Sequence, residues 1–354
     1  MLSNATFVQF LNKFSRLLIS KSVKNINFIM RITWSSPNLL PKKLLFIDGI
    51  TRSGKSLVGP IMSSFKKSYP FQHQALLDNL MPLIKKKSID LLAAKSLLIN
   101  YYNQNIYCLN ISRQMNFRPD DNSSLTKNKD YKLYKKNLNK KEGDYVIEEI
   151  NKKNYLPVYV SHDLLSMINV FEKLKFPFKL IYTYRHPIDN IFSLFKRYKK
   201  LEPKKKYDLN NPRIYQIMIK KNGSLLPYYT SGEEKYFKKL NFAEKIAFYY
   251  LYSLKTSIKE YKKYNKKKKI LFIKYDDITT KTKEELKKIL KFTSLKSSSF
   301  TNKTLRLNKV PRKIDLKKRN EKKLILKKFL RKKIFDEVLK IERKYEEKSL
   351  FKLT

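Results

Sequence analysis

The stretch that most constrains the fold is residues 44–56, which reads LLFIDGITRSGKS. Its apolar start is typical of a strand buried on both faces. A loop bounded by Gly49 and Gly54 follows, and Lys55-Ser56 would begin a helix. This order points successive backbone N–H groups and the positive end of the helix dipole at one anion. The spacing satisfies the P-loop pattern, so it predicts a phosphate-binding loop rather than an ordinary surface turn.

The remaining apolar segments predict the sheet around this loop. Residues 156–161 and 178–184 have the composition of strands, and residues 164–174 between them have helical spacing. A strand–helix–strand unit implies parallel neighbours in a covered sheet. A long aromatic-rich helix over 241–263 leads to another strand at 270–275. We therefore expect an α/β, P-loop three-layer fold with a central, mainly parallel sheet covered by helices on both faces.

The chain divides into three parts by composition. We predict an N-terminal helical arm over residues 1–40, a P-loop domain over 41–310 and a basic C-terminal helical segment over 311–354. The basic segment is interpreted as a solvated helix face rather than a polyanion-binding arm. Two polar stretches, 111–142 and 199–240, are predicted surface excursions that shape the substrate side of the domain.

The charge of the chain is extreme, since 79 basic and 30 acidic residues give a net charge of +49. Such a field attracts polyanions, including anionic glycans and acidic membrane surfaces. Lys and Tyr are abundant while Gly numbers only 6, which is typical of an AT-rich genome. The charge is therefore weak evidence for nucleic acid, and no specific nucleic-acid partner is expected. An anionic glycan acceptor and peripheral membrane contact remain compatible with it, and the oligomeric state is open.

Cysteine and histidine usage limits the metal chemistry that the sequence predicts. Cys108 is the single cysteine, so an internal disulfide is excluded and a reducing compartment is favoured. Without further cysteines and with three histidines, no metal site is expected. No apolar run approaches the ~18 residues of a membrane span. The N-terminal segment lacks the unbroken apolar core of a signal peptide, so a cytoplasmic location is the expectation.

A second phosphate site is predicted where the strand over 178–184 ends. Arg185 carries a permanently charged, planar fork that suits a phosphate. Ser193 lies about two turns into the helix that Pro187 would begin. If the strands are parallel, this pair lies beside the loop at one edge of the sheet. The alternative is structural, with Arg185 paired to Asp189 and Ser193 packed within the helix.

The candidate general base is His162, which follows the strand over 156–161 and titrates near neutral pH. The alternative is a histidine that merely flanks a helix, with Asp163 capping that helix. His73 is a second candidate at another predicted strand end. His186, beside the phosphate-site arginine, is interpreted as structural.

Together these motifs resemble the sulfotransferases that use 3'-phosphoadenosine 5'-phosphosulfate (PAPS). Residues 50–56 are similar to the family's phosphosulfate-binding loop, and Arg185-His186-Pro187 with Ser193 is similar to its 3'-phosphate motif. His162 lies 23 positions before Arg185, where cytosolic-type members place their catalytic histidine. Residues 273–278 are similar to a late family strand, whereas the late glycine-containing 3'-phosphate segment has only Arg312-Lys313 as a loose counterpart.

The resemblance implies a set of site residues and a cofactor. The catalytic residues would be His162, Arg52 and Lys55, and PAPS would be the cofactor, with no metal. The cofactor-binding residues would be Thr51, Arg52, Ser53, Gly54, Lys55, Ser56, Arg185 and Ser193. The acceptor would be a hydroxyl or amine of a glycan, lipid or small molecule.

Two other functions remain open from the residues alone. Lys55 replaces a family threonine and matches a Mg²⁺-dependent P-loop NTPase or small-molecule kinase, in which Ser56 would hold the metal. That function needs a carboxylate at a neighbouring strand end, for which Asp163 and then Asp276 are the candidates. A non-catalytic, basic polyanion-binding protein is the third possibility and predicts salt-sensitive binding that ignores nucleotides.

Overall fold

The computed structural model describes residues 34–35, 37–73, 75–199, 216–221 and 223–352. The predicted arm over 1–40 therefore lies almost wholly outside the described residues. The strands are β1 (Leu44–Asp48), β2 (Gln72–His73), β3 (Val158–Val160), β4 (Phe178–Tyr184), β5 (Met218–Lys221), β6 (Ser224–Pro227) and β7 (Ile270–Lys274).

The helices are α1 (Lys55–Ser63), α2 (Ala75–Lys85), α3 (Leu91–Asn110), α4 (Tyr131–Lys136), α5 (Asp144–Lys153), α6 (Ile168–Glu172), α7 (Pro187–Lys199), α8 (Glu234–Lys238), α9 (Phe242–Lys263), α10 (Tyr275–Thr280), α11 (Thr282–Thr293), α12 (Ser299–Leu307), α13 (Leu316–Phe329) and α14 (Lys332–Glu346). Side-chain caps fix several starts: the Asp90 carboxylate accepts from two amides at the start of α3, and Asn241 with Glu244 forms a capping box on α9.

A five-stranded parallel sheet in the order β2-β3-β1-β4-β7 forms the centre of the fold. In β1, Leu44 and Phe46 pack with α2 and α3, whereas Leu45 and Ile47 pack with α1 and α11 on the opposite face. All four side chains are fully buried, which explains why this strand is an unbroken apolar run. The predicted α/β architecture, with helices on both faces of a parallel sheet, is confirmed.

Several element boundaries differ from the sequence prediction. The predicted helix over 164–174 is divided into a 3₁₀ turn, Leu164–Met167, and α6. The predicted helix over 55–67 ends at Ser63: the Ser64 amide is shared between the carbonyls three and four residues back, the Phe65 amide bonds three residues back, and Lys67 adopts a left-handed backbone. Pro60 lies inside this helix, as predicted.

The basic C-terminal segment packs into the domain. Leu326 of α13 and Val338 of α14 are fully buried in one apolar cluster with Ile191 of α7 and Ile246 of α9. The segment therefore presents a solvated basic face and an apolar face that packs against α7 and α9.

The polar excursions contain short elements. The described part of residues 199–240 forms the antiparallel β5–β6 hairpin and α8, and residues 111–142 contain α4 and two 3₁₀ turns. Among the described residues, none of the helices is long and apolar enough to cross a membrane.

Candidate functional site

The predicted site residues lie where the parallel strands end. The phosphate loop follows β1, His162 follows β3 and Arg185 follows β4, and these three strands are adjacent in the sheet. Carboxyl ends of parallel strands open onto one edge, where α/β proteins bind ligands. We call the loop 49–56 with Arg185 and Ser193 the phosphate corner, and His162 with its partner the histidine corner.

The backbone of the loop requires glycine at both ends. Gly49 has a φ of 139° and Gly54 a φ of 118°, values that L side chains rarely adopt. A Cβ on Gly49 would lie 2.2 Å from the Thr183 carbonyl oxygen, and one on Gly54 would lie 2.5 Å from Cδ2 of Tyr275. Neighbouring strand ends therefore press on the loop from both sides and fix its shape.

Two side chains of the loop point inward. The Ser53 hydroxyl is buried and lies 2.8 Å from the Thr183 hydroxyl on β4. The Lys55 ammonium is also buried and donates to the loop carbonyls of Gly49 and, at 3.1 Å, Ile50. These contacts hold the loop closed, while Ser56 is exposed in the first turn of α1. An α-helix generally leaves N–H groups of its first turn without acceptors in the helix itself, so the start of α1 is suited to binding an anion.

The phosphate corner brings Arg52, Arg185 and Ser193 together. Arg52 has a left-handed φ of 71°, and its Nε donates to the Ser193 hydroxyl at 2.9 Å. Arg185 reaches the Arg52 carbonyl at 3.5 Å, and its own Nε is buried without a hydrogen-bond partner among the described residues. Partial burial lowers the pKa of Arg52, and the nearby charges of Arg197 and Arg185 lower it further. A cluster of cations with an unsatisfied donor is an arrangement that an anion would stabilise.

Tyr275, the first residue of α10, organises the outer wall of this corner. The Arg185 guanidinium lies 4.5 Å from the centre of the Tyr275 ring, within cation–π range. Arg312 donates to the Tyr275 hydroxyl at 2.6 Å, so a further guanidinium lies on the same ring. From the sequence Arg312 was only a loose counterpart of the late 3'-phosphate segment, because its position depends on a contact with Tyr275, 37 residues earlier.

The structural alternative for Arg185, an ion pair with Asp189, is not formed. Asp189 instead accepts from Arg319 at 2.9 Å and from Lys322 at 2.5 Å, both on α13. Burial opposes ionisation of Asp189, but these cations outweigh it and hold the pKa of the carboxyl below its ordinary value. Because α13 neutralises Asp189, the Arg185 guanidinium is directed toward the loop.

The histidine corner contains a partner that sequence analysis missed. Both carboxylate oxygens of Asp78, on α2, contact His162: one accepts the His162 backbone N–H at 2.7 Å, and the other lies 2.8 Å from ring Nδ1. A carboxylate at Nδ1 favours the tautomer in which Nε2 can accept a proton. Asp78 is buried on an otherwise apolar face of α2, and that buried acid is the signal that could have revealed it.

Asp163 does not cap the next helix with its side chain, contrary to the structural alternative for this position. Its carboxylate accepts from the Tyr249 hydroxyl at 3.0 Å, and that hydroxyl also lies 3.3 Å from the Thr51 hydroxyl. Tyr249 therefore connects the phosphate loop with the turn that carries His162. The cap is supplied by Asp48, whose carboxylate accepts from the Leu165 amide at 2.7 Å.

Asp48 is a buried carboxylate between the two corners. Burial raises its pKa to about 6, although the Lys55 charge and the Leu165 amide act in the opposite direction. Its other carboxylate oxygen accepts from the Ser161 hydroxyl at 3.2 Å. The group thus supports the geometry of the turn that carries His162.

The other two histidines take no part in these hydrogen bonds, although burial lowers the pKa of His73 and the charges of Lys55 and Asp78 also act on it. His73 ends the edge strand β2 and packs edge-on against Phe71, at 5.9 Å between ring centres. His186 is fully buried behind Arg185, and burial lowers its pKa to about 3, with Arg319 lowering it further. The structure therefore gives His162 a carboxylate partner and leaves His73 as the alternative base.

One comparison with known proteins identifies a family. A family model described as "Sulfotransferase domain" matches residues 42–338. A search of curated proteins finds no significant match.

Solved structures of sulfotransferases are also similar to this chain, at low identity. The sulfotransferase domain from the curacin biosynthetic pathway is 15% identical, with a TM-score of 0.38, covering 75% of this chain and 77% of that one. The sulfotransferase domain of the Synechococcus PCC 7002 olefin synthase is 13% identical, with a TM-score of 0.36, covering 76% and 80%. A Mycobacterium avium sulfotransferase is 10% identical, with a TM-score of 0.37, covering 75% and 67%.

Proposed function

This chain belongs to the sulfotransferase domain family, and we propose that it transfers a sulfuryl group from PAPS to a hydroxyl or amine of its acceptor. The family match identifies a sulfotransferase, so the NTPase or kinase and the non-catalytic polyanion-binding protein are disfavoured. The donor, the acceptor and the roles of individual residues are the parts that we propose.

The observation that carries the choice of donor is the unsatisfied cationic arrangement of the phosphate corner. Arg185 has a buried Nε without a partner among the described residues, and Arg52 donates to Ser193 next to it. One edge thus offers a helix N-terminus for one phosphate and an arginine fork for a second. A donor with a 5'-phosphosulfate and a 3'-phosphate fits both, whereas ATP has no 3'-phosphate for Arg185.

In this proposal some residues bind the donor and others take part in the transfer. The amides of residues 52 and 54–56 and the Ser56 hydroxyl hold the phosphosulfate, whereas the predicted Ser53 amide instead donates to the Ile50 carbonyl at 3.0 Å. Arg185 and Ser193 hold the 3'-phosphate. When bound, PAPS supplies an activated sulfuryl group. Arg52 and Lys55 provide positive charge near the loop, which stabilises charge that develops on a leaving oxygen.

His162 is the proposed general base. Asp78 holds the ring through Nδ1, so Nε2 accepts the proton that an acceptor hydroxyl or amine loses as it attacks. Thr51 and Ser53 hold the shape of the loop, since their hydroxyls contact those of Tyr249 and Thr183. For the acceptor we propose an anionic glycan as the first class to screen with labelled PAPS, because the net charge of +49 attracts such chains.

The donor is tested by calorimetric titration with adenosine 3',5'-bisphosphate, adenosine 5'-phosphate and ATP, each with and without Mg²⁺. Arg185→Ala should weaken the bisphosphate roughly 10- to 100-fold and leave adenosine 5'-phosphate nearly unchanged, because only one ligand carries the 3'-phosphate. Arg306→Ala, an exposed arginine on α12, is the matched control and should change neither. Mg²⁺-dependent ATP binding that is indifferent to the 3'-phosphate would overturn the proposal.

A further inference from the structure

A buried histidine behind the phosphate corner lacks any hydrogen bond with the described residues. His186 is 0% exposed, and neither ring nitrogen has a hydrogen-bond partner among the described residues. Leaving a buried polar group unsatisfied costs about 1–3 kcal/mol. The proposed transfer reaction makes no use of this side chain, so its position needs another explanation.

Two carboxylates of α14 face the same ring nitrogen. Glu342 and Glu346 are four residues apart, so both lie on one side of the helix. His186 Nε2 is 3.5 Å from Glu342 Oε1 and 3.7 Å from Glu346 Oε1. The three ligand atoms all lie within 4.8 Å of one another.

These separations fit coordination better than hydrogen bonding. Both exceed the about 2.7–3.2 Å of a direct N–H···O hydrogen bond. In a tetrahedral Zn²⁺ site with bonds of about 2.0–2.2 Å, neighbouring ligand atoms are about 3.3–3.6 Å apart. The two carboxylates repel each other where they converge on the imidazole nitrogen, and a cation between the three groups would relieve that repulsion.

The nearest basic side chains do not fill that position. Lys323 binds the other oxygen of Glu342 at 2.7 Å, which leaves Oε1 directed at His186. Lys274 donates to the Tyr345 carbonyl at 2.9 Å. Arg319 donates to two carboxylates, those of Asp189 and Asp276, at 2.9 Å each.

We propose that His186, Glu342 and Glu346 bind one divalent transition-metal ion, with Zn²⁺ the best match to one nitrogen and two oxygen ligands. Glu346 is 63% exposed, so the site is reached from solvent and leaves room for water as the fourth ligand. The ion would fasten α14 to the β4–α7 junction, directly beside Arg185. The sequence predicted no metal site because cysteine and histidine ligands are scarce, whereas two of the three ligands proposed here are carboxylates.

The test is Zn²⁺ binding by the full chain. The chain is purified without a histidine tag, because a tag would itself bind Zn²⁺ and outnumber the 3 histidines of the sequence. The protein is stripped with a chelator and desalted, then dialysed against buffered free Zn²⁺. Metal content per chain and the midpoint of thermal unfolding are measured. We expect one Zn²⁺ per chain and a higher unfolding midpoint, since a ligand that binds only the folded state stabilises it.

The variants separate specific binding from general attraction. Glu346→Gln removes an exposed ligand without disturbing the core and should weaken Zn²⁺ binding at least about 100-fold. Glu347→Gln, the adjacent exposed carboxylate outside the cluster, is the control and should bind as the parent does. The proposal is overturned if the parent chain takes up no Zn²⁺, or if the two variants bind it equally. Neither readout depends on PAPS or on transferase activity, so the result is independent of the proposed function.

Discussion

The phosphate corner and the histidine corner lie at the same sheet edge but are built in different ways. Most of the phosphate corner comes from one continuous loop, whose glycines and backbone amides define its shape. The histidine corner depends on a contact between His162 and Asp78, which are 84 residues apart in sequence. A site made mainly of backbone can be recognised from a short motif, whereas a site made of one side-chain pair cannot.

The two corners are also coupled. Tyr249 contacts both Thr51 of the loop and Asp163 beside His162, and Asp48 at the end of β1 caps the turn that follows β3. We therefore expect substitutions within either corner to separate donor binding from turnover, and substitutions in the connection to affect stability.

The largest expected effect is that of His162→Ala. Loss of a general base should reduce kcat about 10²- to 10⁴-fold, while the affinity for adenosine 3',5'-bisphosphate stays at the parental value. Single-turnover kinetics and calorimetry measure the two quantities. His73→Ala is the matched control, and a large loss in that variant with full activity in His162→Ala would move the base to the edge strand.

Gly54→Ala should weaken donor binding, the quantity that His162→Ala leaves unchanged. The added Cβ meets Tyr275 at 2.5 Å on a backbone with a φ of 118°, so the loop must shift. A displacement near 1 Å costs on the order of 100-fold, and here it should appear as weaker bisphosphate binding. Gly223→Ala is the control, because its φ is also positive but nothing lies within 4 Å. Unchanged binding in Gly54→Ala would contradict the role given to the loop.

Asp78→Asn tests the pair that defines the histidine corner. The amide keeps the size of the side chain but removes the charge at Nδ1, so kcat should fall roughly 10- to 100-fold with little change in KM for the donor. Asp78→Glu should recover part of that loss. If Asp78→Asn lowers the midpoint of thermal unfolding along with kcat, and Asp78→Glu recovers neither, then Asp78 serves only to fold the chain.

The smallest effect is expected at Asp48, between the corners. Burial raises the pKa of Asp48 from 3.8 to about 6 in the folded state. The folded chain therefore holds this proton more tightly than the unfolded chain does. As the pH rises from 3.8 through 6 the proton is lost, and the folded state loses stability. Between about pH 5 and about pH 7.5 this group should remove roughly 1 kcal/mol from the free energy of unfolding.

In Asp48→Asn that pH-dependent component should disappear. Urea unfolding of both proteins at the two pH values measures it, and parallel pH dependence in parent and variant would show that Asp48 is already charged throughout this range.

The sequence alone determined the parallel sheet and the phosphate loop. The apolar runs of β1 and β4 and the glycine spacing of residues 49–54 are local patterns, and local backbone geometry follows from them. For the same reason the positions of Arg185 and Ser193 at one sheet edge could be predicted from strand ends. The N-terminal arm and the cytoplasmic location stay predictions.

Only the tertiary structure decided how the side chains pair. Asp189 lies four residues after Arg185, yet it forms ion pairs with Arg319 and Lys322 of the C-terminal helix α13. Arg185 instead contacts the loop. Asp78 reaches His162, and Glu342 and Glu346 reach His186, across similarly long stretches of chain. Charge and spacing in a sequence specify what a side chain can bind, but the packing of distant helices selects which partner it meets.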